Sequence, residues 1–270
     1  MLPGMAAGGG DNGSGFARTY AAQAATYDRT RSASTETAGP VLNAISSAPG
    51  RTVLDVGGGT GNYALVMRAS GFSVTVADRS AEMLAVAAGK GLPTCRADAA
   101  SLPFRDRSAD AVTILSMLHH VPRWKEALAG ARRVLRPGGV LCLLLYTREH
   151  MDSHFFLGYF PSGRAWASRD TRPIAEYAAE LPGADVQPLQ IRGTGDLTMH
   201  VMRRHPSLAL DPGLSAQTSF FARMLREHPA ELQAGLARLA SDISSGSLPA
   251  GYDRDLPDGD AYLVTWRKPA

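Results

Sequence analysis

Several things are scarce in this chain of 270 residues. Cysteine is present only as Cys95 and Cys142. Two thiols cannot complete a structural zinc site, and both fall in predicted strands, so they read as buried reduced side chains and not as a disulfide. Lysine occurs only at positions 90, 125 and 268, the other basic residues being arginine. Basic pairs such as Arg132-Arg133 and Arg203-Arg204 stand isolated, without a stripe or interleaved aromatics, which speaks against nucleic-acid binding. No run approaches the ~18 apolar residues of a membrane span. The stretch Met1–Gly15 lacks lysine, arginine and the apolar core of a secretory leader. A flexible tail, a cytoplasmic location and no membrane partner are expected, with a homodimer left open.

What is present is an ordinary globular composition, 44% hydrophobic and 20% charged, enough to bury a sizeable core. The abundance of arginine, alanine, glycine and proline suggests a GC-rich bacterial source. Residues 16–34 read as one helix and 37–48 as a second. From Thr52 a strand–helix rhythm begins. Val53–Val56 forms a short strand, followed by glycines and a helix through Arg68. A second strand over 71–78 ends in Asp78, and Ser80 can cap the next helix. Further strands are expected near Pro93–Ala97 and over Ala109–Leu115. Val121, Trp124, Leu128, Ala131 and Leu135 share a helical face, with Pro122 in the first turn and Gly138-Gly139 at the end. Val140–Leu145 is a continuous apolar run, as suits a strand buried on both faces.

This pattern predicts an α/β fold, a Rossmann-like doubly wound sheet, mostly parallel with an antiparallel last strand. The expected layout is a tail over 1–15, an N-terminal helical cap over 16–50 and a cofactor-binding core over 51–147. A lid and helical capping region follows over 148–260, with a strand near 184–192, and 261–268 supplies the last strand. Within the lid, Pro229 opens a helix that Gly246 closes.

The first chemical motif is Asp55-Val56-Gly57-Gly58-Gly59-Thr60-Gly61 at a strand-to-helix turn. A Cβ at such glycines blocks close approach of backbone to ligand. Asp78 ends the next strand, where a carboxylate can accept from both hydroxyls of a ribose. The frame Gly59-Thr60-Gly61-Asn62-Tyr63-Ala64 also fits a dinucleotide fingerprint. Asp55 opposes that reading, because it would repel a pyrophosphate yet suits a cationic ligand.

In order along the chain, VLDVGGGTGNY (53–63), VTVADRSAEML (74–84), ADAASLPFRDRSADAV (97–112), LHHV (118–121) and RVLRPGGVL (133–141) resemble the class I S-adenosylmethionine-dependent methyltransferases, particularly the bacterial type 11 group. The resemblance covers about residues 50–147. It implies S-adenosyl-L-methionine as cofactor, S-adenosyl-L-homocysteine as product and a small-molecule methyl acceptor in bacterial specialised metabolism. By position it places Gly57, Gly59 and Gly61 along the methionyl group and Asp78 on the ribose. Asp98 and Ala99 would read the adenine and Ser116 would flank the cofactor. Tyr27 would close over it, and Asp55, Arg79 and Met83 complete the set.

His119 and His120 follow the fourth strand, where an imidazole could take a proton from an acceptor. The pair equally fits a packing role. Where a metal-assisted enzyme would need clustered carboxylates, this chain has Ser116-Met117-Leu118, so no metal is expected. Phe155, Phe156, Tyr159, Phe160 and Trp166 crowd twelve residues after the fifth strand. They read either as core or, with His150 and His154, as the wall of an acceptor pocket. Two rival functions stay open: an NAD-dependent oxidoreductase, and a cofactor-retaining cyclase or binding protein that does not methylate.

Overall fold

In a computed structural model, which describes residues 24, 26–215 and 217–270, seven strands form one sheet. They are β1 (Thr52–Val56), β2 (Ser73–Asp78), β3 (Thr94–Arg96), β4 (Ala109–Leu115), β5 (Leu135–Leu145), β6 (Asp185–Leu189) and β7 (Ala261–Arg267), in the spatial order 3-2-1-4-5-7-6. Only β7 runs antiparallel to its neighbours β5 and β6. From β1 the chain steps outward through β2 to β3, then returns to β4 on the other side of β1. Adjacent crossovers therefore leave in opposite directions, and a crevice opens at the carboxyl ends of β1 and β4, where such sheets bind ligands.

Period-two alternation sorts the strand residues between two cores. Val53, Val76, Ala111, Cys142 and Leu144 face the helices Thr35–Ser46 and Asn62–Ala69 and the lid aromatics. Leu54, Val56, Val112, Ile114 and Leu143 face the helix Trp124–Val134 and Tyr177. That helix buries Trp124, Ala127, Leu128, Ala131 and Val134 along one stripe. All of β4 is buried, as its apolar run requires. Cys142 is buried and Cys95, on edge strand β3, only half-buried; both thiols are free.

Some expected boundaries move. The tail over 1–15 and the first part of the helix expected over 16–34 lie outside the described residues. The later part of that helix is instead a 3-10 turn at Tyr27–Arg29 followed by extended chain to Ser34, after which Thr35–Ser46 is helical. Pro122 precedes its helix and does not sit in the first turn, because the next residue, Arg123, is non-helical (φ −91°, ψ 50°) and is itself the cap before Trp124. At the other end the helix stops at Val134, before Gly138-Gly139, since Leu135 is already extended (φ −67°, ψ 139°) and pairs with Ala109. The lid comprises the helices Arg148–Asp152, Pro161–Asp170, Ile174–Glu180, Met199–Arg204, Pro212–Ser215, Ser219–Glu227 and Pro229–Ser245 with intervening 3-10 turns. Gly246 closes the last of these in the left-handed conformation (φ 70°). Among the described residues no helix is long and apolar enough to cross a membrane.

Candidate active site

A cavity of about 730 Å³ occupies the crevice at the carboxyl ends of β1, β2 and β4 and continues under the lid. Its floor is the glycine turn. The strand register sets Asp55 beside Thr113, and the Thr113 hydroxyl donates to Asp55 Oδ1 at 2.7 Å. Asp55 Oδ2 is buried without a hydrogen-bond partner among the described residues. Burial pushes its carboxyl up to about 6 against the opposing pull of Thr113. Gly58 packs onto that carboxylate so tightly that a Cβ there would overlap it.

Asp78 reaches back to the same turn. Its Oδ2 accepts from the Gly59 N–H at 3.0 Å and its Oδ1 from the Ser80 N–H at 2.8 Å. Burial raises its pKa, against those two hydrogen bonds. Ser80 caps the helix Ala81–Gly89 by accepting from the Met83 N–H, which sets Met83 in the wall. Gly59 has φ 57°, and open space lies where its Cβ would be. A turn with backbone open to the cavity, between the buried Asp55 carboxylate with its unmet acceptor and the half-buried Asp78, fits a cationic ligand carrying a hydroxylated sugar.

Asp98, Ala99, Arg79, Ser116 and Gly57 also line the cavity. Asp98 is held by the Ala100 N–H at 2.8 Å and Arg123 at 3.0 Å. Ser116 takes a left-handed conformation (φ 56°) unusual for a residue with a side chain, and its hydroxyl is buried without a partner among the described residues. Gly61 does not reach the cavity. Its missing Cβ makes room for Leu92, so it serves the contact between turn and helix. Tyr27 lines the cavity from the N-terminal segment, which is tied to the turn through Asp28. Asp28 accepts from Thr60 at 2.6 Å and Asn62 at 2.9 Å and pairs with Lys90 at 2.6 Å.

His119 and His120 both line the chamber beyond the turn, their rings 3.9 Å apart. Burial pushes His119 down to about 4, Arg31 adding to the effect, and His120 well below its ordinary value. Both are neutral at physiological pH. His119 Nδ1 is buried with no hydrogen-bond partner among the described residues.

Five residues expected in an acceptor pocket lie outside the cavity. His150 is spent on structure: its Nδ1 accepts from the Thr147 N–H at 3.0 Å and its Nε2 meets the Asp258 carbonyl at 3.0 Å. His154 Nε2 meets the Met199 carbonyl at 3.0 Å. Phe160 is fully buried among Phe156, Phe220 and Phe221. Tyr159 donates to Asp242 at 2.6 Å on the outer side of the lid, and Phe155 packs against it and Tyr252. Of the lid aromatics expected there, Trp166 does reach the cavity, joined by Phe220 of the later helix Ser219–Glu227.

Sequence reasoning missed Tyr146, Arg31, Asp196, Thr198 and His200, which line the same chamber. Tyr146 was findable, since it directly follows β5 at the carboxyl edge of the sheet. The others carry no local signal. Arg31 and Asp196 meet at 3.5 Å across the gap between N-terminal segment and lid.

Residues 54–143 match the methyltransferase domain family. A demethylmenaquinone methyltransferase from Renibacterium salmoninarum is 30% identical over 198 residues, 64% of this chain and 82% of that protein. A ubiquinone/menaquinone biosynthesis C-methyltransferase from Paracoccus denitrificans is 41% identical over 118 residues, spanning 40% of this chain and under half, 47%, of that protein. Among solved structures, one described as a methyltransferase from an antibiotic biosynthesis pathway of Anabaena variabilis superposes with a TM-score of 0.78. That match has 21% identity and covers 88% of this chain and 98% of the other, a likeness of fold.

Proposed function

The chain belongs to the class I S-adenosylmethionine-dependent methyltransferases, and from that premise we propose that it methylates O, N or C of a small molecule held between the glycine turn and the lid. The observation that carries this reading is the continuity of a single cavity. It runs from the Asp55–Asp78 turn to a chamber walled by Met151, Trp166, Met199 and Phe220, and its volume of about 730 Å³ is that of a small-molecule site. The two relatives are named for menaquinone and ubiquinone, which are small molecules, and this supports the reading.

When bound, S-adenosylmethionine supplies an activated methyl group on a sulfonium. The residues proposed to hold it are Asp55, Gly57, Gly59 and Asp78 in the turn, with Arg79, Met83, Asp98 and Ala99 along the neighbouring wall and Tyr27 above. Asp55 and Asp78 bring negative charge toward a cationic ligand. A bound acceptor that displaces water from the cavity favours reaction when an anionic nucleophile meets a cation and charge is lost. Alignment of two reactants can by itself supply about 7–11 kcal/mol, so no strong base is required. His119 and His120, both neutral, are available to take the acceptor's proton.

The test is incubation of the purified protein with methyl-labelled cofactor and a panel of phenols, quinols and amines, read by mass spectrometry. Calorimetry with S-adenosylhomocysteine and with NAD runs alongside. Label in a small acceptor is expected. Tight binding without transfer to any acceptor would overturn methylation, and selective binding of NAD would overturn the cofactor assignment as well.

A further inference from the structure

The lid presents one side chain to the chamber that is otherwise unexplained. His200 is 5% exposed and lines the cavity, and neither ring nitrogen makes a hydrogen bond to the described residues. Its ring lies flat on Tyr146, centroids 4.4 Å apart and planes 7° from parallel. Tyr146 is 6% exposed, and its buried hydroxyl lies beside the Ser116 and Thr198 side chains without a hydrogen bond of good geometry to either. His119 stands edge-on to the same tyrosine at 6.0 Å, with its Nδ1 unmet. Two elements distant in sequence, the end of β5 and the helix Met199–Arg204, thus bring stacked polar rings to one wall. A buried polar group left without a partner costs about 1–3 kcal/mol, so a wall with several of them calls for a ligand that satisfies them.

The charges around the chamber narrow the ligand. Arg31 is paired with Asp196 at 3.5 Å, Arg169 with Asp170 at 2.8 Å and Arg123 with Asp98 at 3.0 Å. Arg172, which also lines the cavity, lies 3.9 Å from Glu176, and Arg79 lies close to Asp78, so every arginine of the lining has a carboxylate near it and none offers an anionic acceptor an isolated positive charge. Burial holds His200 well below its ordinary pKa, as it does His119, and the imidazoles are neutral. Met151, Trp166 and Phe220 add large apolar surface to the lining, with the Trp166 Nε1 a further buried donor that lacks a partner among the described residues.

We propose that Tyr146 and His200, with His119, are the specificity-determining wall of the acceptor chamber, and that they select an uncharged, hydroxyl-bearing ring. The hydroxyl meets the hydrogen-bonding atoms these side chains leave unmet, while the ring lies against Trp166 and Phe220. This assignment rests on the small-molecule reading above and adds the substrate class and the residues that choose it.

The experiment measures acceptor binding to the full chain saturated with S-adenosylhomocysteine, so it does not depend on turnover. Three probes are titrated: naphthol, methoxynaphthalene and naphthoate. Naphthol is expected to bind about tenfold more tightly than the other two, the cost of one unmade buried hydrogen bond. Tyr146→Phe and His200→Phe keep the rings and should each erase most of that preference. His200→Gln, which restores a polar atom, should recover part of it. Affinity for S-adenosylhomocysteine should stay within about twofold in all three variants, which also reports on folding. Equal binding of the three probes, tighter binding of naphthoate, no binding of naphthol, or a preference that survives both Phe variants would overturn the proposal. Failure of the methyltransferase reading would show separately, as wild-type protein that does not bind S-adenosylhomocysteine.

Discussion

On the sheet side of the cavity the wall is largely backbone: a glycine turn, strand ends and two aspartates that tie them together. On the lid side it is large side chains, Trp166, Phe220 and His200, hung on short helices. Asp55 and Asp78 are held by partners set by strand register, Thr113 across β4 and Gly59 across the turn. The lid is instead pinned by ion pairs distant in sequence. Arg203 and Arg204 both meet the fully buried Asp260, at 2.6 Å and 3.0 Å. One side can be shared by many enzymes because its shape follows from the fold. The other can diverge residue by residue, and so choose the acceptor.

The difference should show first in stability. Asp260→Ala leaves the buried Arg203 guanidinium without a carboxylate, and Arg204 with Asp255 alone, and should cost about 3–5 kcal/mol in urea unfolding. A loss below about 1 kcal/mol would mean the lid does not hang on that pair.

Acid should divide the two sides next. Burial pushes His154 down to about 4 and lowers His150 and His200, so the unfolded chain takes up their protons near 6.5 while the folded lid does not. Each then removes about 1.4 kcal/mol per pH unit as pH falls from about 6.5 toward its folded pKa. Asp55 has the opposite sign: its raised pKa means the folded sheet binds the proton first, so between about 6 and 4 it favours folding as pH falls. Asp78 and Asp196 share its sign, while His119 and His120 add to the loss; five histidines outnumber three carboxylates, and the net expectation is loss of stability below pH 6.5. A His154→Gln variant should flatten the slope; an unchanged urea midpoint from pH 7 to 5 in the wild type would refute the assignment.

On the sheet side, Asp78→Ala should weaken S-adenosylhomocysteine binding by about 1–3 kcal/mol, with little change in acceptor preference. Unchanged affinity in calorimetry would remove Asp78 from the site. The smallest effect belongs to the link between N-terminal segment and turn. Lys90→Met removes a partly exposed pair with Asp28 and should cost about 0.2–1 kcal/mol in the same titration.

The same division explains what could be read in advance. The continuous apolar runs of β4 and β5, the Gly57–Gly61 turn and the Ser80 cap are local patterns with local physical causes, and they located the strands and the turn that floor the cavity. The lid had no such rule. Phe155, Phe160 and Trp166 look alike by periodicity, yet only Trp166 reaches the cavity, because Phe220 and Phe221 of a later helix enclose Phe160. His150 and His200 were equally plausible ligands by residue type. Which ring ends on a backbone carbonyl and which stays unspent depends on contacts made across more than a hundred residues, such as His150 to Asp258.

The position of β7 carries a consequence for synthesis. Because this strand enters between β5 and β6, a ribosome must release the chain through Arg267 before either neighbour gains its partner. Until then the nascent polypeptide carries the unpaired edge of β5, with its apolar run Val140–Leu145, exposed to other chains. Stalling or proteolysis ahead of Ala261 would leave a finished glycine turn attached to an aggregation-prone border, so the last strand acts as the molecule's quality gate.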